Sequence, residues 1–126
     1  MARLFEQNVD THELSPLALA LVGDGVYELM VREMLVCEAN RSAGELHKAA
    51  VKLVRAEAQS AAMDKLEPHL TEKEAAVFRR GRNAHTPRND RDYHRATGFE
   101  ALFGYLYLNG EIERVKELFQ MCMETK

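Results

Sequence analysis

Leu21-Val22-Gly23-Asp24-Gly25-Val26-Tyr27-Glu28 and, well downstream, Ala96-Thr97-Gly98-Phe99-Glu100-Ala101-Leu102-Phe103-Gly104-Tyr105-Leu106-Tyr107-Leu108 decide how this chain is read. Each stretch plants one carboxylate in an apolar, helix-forming segment and surrounds it with glycines, although glycine inside a helix costs about 1 kcal/mol relative to alanine. Close approach of two backbones, or of a ligand to a backbone, would explain glycines in such positions.

Working outward from the first stretch, Ser15-Pro16 is a helix start, with serine able to cap free amides and proline pre-set for the first turn. Apolar residues then recur at Val22, Val26, Leu29, Met30, Met34 and Cys37, a helical rather than a strand period. Ser42-Ala43-Gly44-Glu45 and Thr71-Glu72-Lys73-Glu74 both have the form of a capping box. They predict a second helix from about Ala43 toward Leu66 and a third from about Glu72 to Arg80, separated by Pro68. Gly81 to Asp90 has no apolar period and reads as a surface loop. Phe99, Leu102, Phe103 and Leu106 restore the helical stripe, which Asn109-Gly110 ends, and a last helix carries Ile112, Val115, Leu118, Phe119 and Cys122 inward. No segment alternates as a strand does, so the expected fold is all-α, with five or more helices and no internal repeat.

The 126 residues, 46% of them apolar, suffice for one ordinary core, and a single domain spanning 1–126 is expected. No run of 18 apolar residues exists and the first residues lack a signal-like apolar stretch, which argues against membrane insertion or export and for a cytoplasmic protein. Cys37 and Cys122 lie far apart without a C-x-x-C pairing, so both read as reduced thiols filling core space. The net charge of −3 is unevenly spread: between Arg79 and Arg95 six arginines face only Asp90 and Asp92, which leaves the rest of the chain at −7. One basic segment on an acidic body suits a phosphate backbone as partner and limits how much of the surface takes part.

Asp24 and Glu100 each have a plain structural explanation. Gly23 could end one helix in the left-handed position with Asp24 capping the next, although Glu28 falls one residue too late for a capping box. Glu100 could be a solvated helix position, yet Thr97, Phe99, Ala101, Leu102 and Phe103 are poor neighbours for a casual surface glutamate. If both acids face one crevice, they make a hard oxygen site suited to magnesium, which takes one or two protein carboxylates and leaves its other positions to water and substrate phosphate. A cation there would activate water against a phosphodiester.

At these residues the chain resembles a known family. Leu21 to Glu28 resembles the signature helix of the ribonuclease III endonuclease domain, and Phe99 to Leu108 resembles its second acidic motif. With the short length and Arg79-Arg80-Gly81-Arg82-Asn83-Ala84, the chain is similar to the short, Mini-ribonuclease III branch of that family over about Leu14 to Leu108, with a C-terminal helix at about 111–124. The resemblance implies an all-α endonuclease domain forming a two-fold homodimer, with the signature helices at the interface and a valley for double-stranded RNA. It implies Asp24 and Glu100 as catalytic metal ligands, magnesium as cofactor, and no separate double-stranded-RNA-binding domain. Larger members carry further acids where this chain has Ala20 and Thr97. That favours one magnesium over two, with the Thr97 hydroxyl holding a water of its shell and Glu28, one turn from Asp24, in support.

The implied reaction is magnesium-dependent hydrolysis of double-stranded RNA, maturing both ends of the 23S ribosomal RNA precursor from a stem those ends form. A ribosomal protein that reshapes the RNA is an expected helper. Arg79, Arg80, Arg82, Asn83, His85 and Arg88 are the expected RNA contacts, since uncharged hydrogen-bonding groups interleave the cations and the segment leads into the Glu100 helix. Arg79 and Arg80 alternatively finish the third helix, where cations favour the dipole. The rival function is a non-catalytic RNA-binding protein on the same fold acting in ribosome assembly; a helical protein-interaction module is third.

Overall fold

A computed structural model describes residues 3–5, 7–84 and 90–124. Among them are six α-helices and no strand: α1 (Pro16–Glu38), α2 (Ala43–Val54), α3 (Ala56–Leu66), α4 (Glu72–Arg82), α5 (Arg91–Leu108) and α6 (Ile112–Met123). Short 3₁₀ turns stand at Thr11–Glu13 and Glu67–His69.

Local chemistry sets most helix starts. Ser15 Oγ accepts from the Ala18 amide at 3.1 Å. Both capping boxes form, Ser42 with Glu45 and Thr71 with Glu74. Glu74 does more than cap: its carboxylate also accepts two hydrogen bonds from Arg114 at 2.8 Å, tying α6 to the start of α4. At the end of α5, Glu111 N–H donates to the Leu106 carbonyl and Gly110 N–H to that of Tyr107. Gly110 there has φ +76°, the one positive φ among the described residues, as this cap requires.

α5 is the axis of the fold. From Arg95 to Leu106 every residue but Glu100 is buried, because α1, α3 and α4 all lie against it. Tyr27 of α1 meets Phe99 and Phe103 of α5 edge to face, at centroid distances of 4.9 and 5.3 Å, and Phe119 of α6 at 5.6 Å. The predicted inner face of α6 holds, with Val115, Leu118 and Cys122 buried.

Three expectations need correcting. The helix expected from Ala43 toward Leu66 is two, broken at Arg55 (φ −68°, ψ 159°). The break lets α2 lie on α1 while α3 turns to lie along α5, a tertiary requirement that overrides local propensity. α4 runs to Arg82 rather than Arg80 and takes in Gly81, whose place is set by contact with α5 and not by a turn. Cys37 is exposed, since its neighbour Leu35 takes the inward position at the end of α1; only Cys122 is buried.

Candidate active site

Two glycine crossings build the site. A Cβ on Gly23 would sit 1.7 Å from the Glu100 carbonyl oxygen, and one on Gly104 would sit 1.9 Å from that of Leu19. The backbones of α1 and α5 therefore touch, each using the other's missing side chain. The second crossing joins α4 to α5: a Cβ on Gly81 would lie 2.8 Å from Gly98 Cα, and one on Gly98 would lie 2.6 Å from the Phe78 carbonyl oxygen. Helix α1 continues unbroken through Gly23, Asp24 and Gly25, so the capping explanation of Asp24 is overturned. Gly25 is exposed and a Cβ there would meet nothing within 4 Å.

Because Asp24 follows Gly23, the first crossing lays its carboxylate within hydrogen-bonding reach of Glu100. Glu100 is not a solvated surface acid. Burial first, then the adjoining Asp24, push its carboxyl up to about 8, and the Glu28 charge adds to this. Glu28 also pairs with Arg32 at 3.5 Å. Like charges at close range in a low-dielectric setting disfavour double ionisation unless a cation lies between them. A hard divalent ion fits this donor set of carboxylate oxygens, with Asp24 and Glu100 as the residues that would hold it. Among the described residues no group of three or more acids, histidines or cysteines converges on one point, so most of such an ion's shell would be left to water and substrate.

Thr97 is buried, and its hydroxyl donates to the Tyr93 carbonyl at 3.0 Å, leaving only oxygen lone pairs for any water. Sequence reasoning missed Gln59. It stands on α3 in an inward stripe with Met63 and Leu66, is 1% exposed, and turns its amide toward Glu100, where it favours the ionised carboxylate. The stripe spacing was visible, but a neutral amide in it resembles a tolerated core position.

The basic segment divides. Arg79, Arg80 and Arg82 form the last turn of α4, with Arg79, Arg80 and Asn83 exposed. Arg82 lies over the Phe78 ring at 5.7 Å and donates to Asn83 Oδ1. Arg82, Asn83, Arg91 and His94 edge one open recess, with the mostly buried Arg95 at its base. Arg95, counted with the basic run, is turned inward instead: it donates to Ser60 Oγ and to Asp64 at 2.7 Å, clamping α3 to α5. His85 and Arg88 lie outside the described residues.

α1 exposes Leu17, Leu21, Leu29 and Val36, Leu21 at 77%. Val22, Val26, Met30, Ile112 and Val115 floor an apolar recess beside them.

Residues 17–111 match the family model described as Ribonuclease III domain. The chain is 44% identical to the Mini-ribonuclease 3 of Thermoanaerobacter sp. (strain X514), covering 89% of this chain and 82% of that one. It is 46% identical to the Mini-ribonuclease 3 of Symbiobacterium thermophilum, covering 88% and 89%. An X-ray crystal structure of a Fusobacterium nucleatum protein superposes with a TM-score of 0.81 at 30% identity, covering 89% of this chain and 93% of that one.

Proposed function

The chain belongs to the ribonuclease III family, and from that premise we propose that it is an endoribonuclease that cuts double-stranded RNA with magnesium held by Asp24 and Glu100. One observation carries the site assignment: the Gly23–Gly104 crossing brings two carboxylates together, with Glu100 half-buried and pushed up to about 8. Such an arrangement opposes folding unless a cation or proton relieves it, which is what a site built for a divalent ion requires.

Magnesium bound there would supply an activated water and stabilise charge on the leaving oxygen. The chain's own residues do the rest. Asp24 and Glu100 fix the cation's place on the rigid α1–α5 contact, and Glu28 adds negative potential from the next turn of α1. Arg79, Arg80, Arg82 and Asn83, at the open end of α4, meet the phosphates and 2′-hydroxyls of an A-form stem, whose deep major groove is too narrow for side chains to read. His85 and Arg88 complete this assignment from the sequence. The exposed apolar stripe on α1, with bare Gly25 in its middle, fits a second copy of the chain approaching closely, and supports a homodimer. On the resemblance of the two acidic motifs we assign the paired ends of the 23S ribosomal RNA precursor as substrate, with a ribosomal protein as accessory partner.

The test incubates the purified protein with a base-paired 23S precursor stem, with magnesium or with chelator. Scission with magnesium alone is the expected result. Binding without scission would replace the enzyme by the non-catalytic RNA-binding reading, and scission in chelator would remove the cation.

A further inference from the structure

We propose that Gln59 is a positioning residue for Glu100: an amide carried by α3 and sealed in the core, which holds the Glu100 side chain in the orientation that sets it beside Asp24. The inference rests on the cation site assigned to Asp24 and Glu100.

The observation is an unexplained polar group. Gln59 is 1% exposed, and neither Nε2 nor Oε1 meets a protein partner in full hydrogen-bond geometry. A buried amide left in that state is costly, and the neighbouring positions of the stripe, Met63 and Leu66, show that an apolar side chain fits that face of α3. Its surroundings point to what the amide is for. Ser60, the next residue, and Asp64, one turn further on, anchor α3 to Arg95 of α5 at 3.0 and 2.7 Å. That clamp fixes the register of the two helices and brings the Gln59 amide within reach of the Glu100 carboxylate. Glu100 thus has an acid on one side and an amide donor on another. An amide N–H can hold one carboxylate oxygen while the other stays available to an ion, as donors behind metal-ligating carboxylates do.

The test measures manganese binding by the electron paramagnetic resonance signal of the free ion, for the unmodified protein, Gln59→Leu, Gln59→Met and Asp24→Asn, without RNA. Both Gln59 variants are expected to bind manganese about 10–100-fold more weakly. The magnesium concentration for half-maximal cutting should rise by the same factor, with KM for RNA unchanged. Both variants should stay folded in chelator, read by circular dichroism, since apolar side chains already fill the Met63 and Leu66 positions of that face of α3. Unchanged manganese affinity in either folded variant would overturn the inference, as would failure of both variants to fold, which would make Gln59 structural. Asp24→Asn separates the two levels of the argument: if it binds manganese like the unmodified protein, the cation site itself falls, and the role of Gln59 with it.

Discussion

Replacing Asp24 by asparagine should abolish cutting and, in chelator at pH 8, make the protein more stable. The magnitude follows from Glu100. Its carboxyl is raised from an ordinary 4.5 to about 8, first by burial and next by Asp24. A raised carboxyl means that the folded state holds a proton the unfolded chain has already released, so ionised Glu100 weakens the fold. That penalty is fully present above pH 8, shrinks as pH falls, and is gone below about 4.5. One unit corresponds to about 1.4 kcal/mol, and with Asp24 second to burial its share is roughly 1–2 kcal/mol. Asp24→Asn should therefore raise the melting temperature in chelator at pH 8 by roughly 3–8 °C, and by much less at pH 5, where Glu100 is protonated in both proteins.

Magnesium reverses the order. A ligand bound only by the folded state at about 100 times its dissociation constant adds about 2.7 kcal/mol, which the unmodified protein should gain and Asp24→Asn should not. Melting curves at both pH values, with and without magnesium, should therefore cross. A variant no more stable than the unmodified protein in chelator at pH 8 would refute the repulsion. Equal stabilisation of both by magnesium would refute the ligand assignment.

Gly104→Ala and Gly25→Ala form a contrasting pair. The first places a Cβ 1.9 Å from the Leu19 carbonyl oxygen, so α1 and α5 must part; a loss of roughly 2–3 kcal/mol by denaturant unfolding is expected, with cutting by the folded protein falling as the two acids separate. The second meets nothing within the protomer, so its melting temperature should hold while sedimentation shows a weaker dimer; an unchanged dimer would move the interface elsewhere. Replacing Arg79 and Arg82 together by alanine should weaken RNA binding and flatten its dependence on salt concentration, measured by filter binding, because fewer counterions are released. An unchanged slope would remove the end of α4 from the RNA.

What was legible in the sequence is what local chemistry decides. Ser15, Ser42 and Thr71 cap where they were expected to because a cap is settled within four residues. The cost of helical glycine announced close approach, which holds at Gly23, Gly98 and Gly104 but not within the protomer at Gly25; the pairing of Gly23 with Gly104 and of Gly81 with Gly98 depends on how helices cross, which no spacing along one helix encodes. The break at Arg55 was hidden for the same reason: Val54-Arg55-Ala56 contains no breaker, and only the separate destinations of α2 and α3 demand it. Arg95 was misjudged because charge along a chain does not say which way a side chain points, and its partners Ser60 and Asp64 come from another helix. Asp24 and Glu100 stood out as charges in apolar surroundings, whereas Gln59 contributes an amide without charge and left no comparable mark.

The carboxylate pair and the core are parts of one device. Asp24 lies between Gly23, which touches α5, and Tyr27, which packs on Phe99 and Phe103; Glu100 directly follows Phe99. The backbone under each acid is thus held by the core: Glu100 adjoins Phe99 and Asp24 stands three residues before Tyr27, both aromatics almost wholly buried, so α1 and α5 cannot part here without unpacking them. Burial of side chains of that size contributes about 1.5–3 kcal/mol each, enough to hold the acids together against a repulsion of roughly 1–2 kcal/mol. The repulsion is therefore stored rather than relaxed, and a cation binding there would find the two carboxylates already in place instead of having to gather them. The same economy explains the glycines: any side chain at Gly23 or Gly104 would widen the crossing and relieve the repulsion, and with it the reason for an ion to bind there.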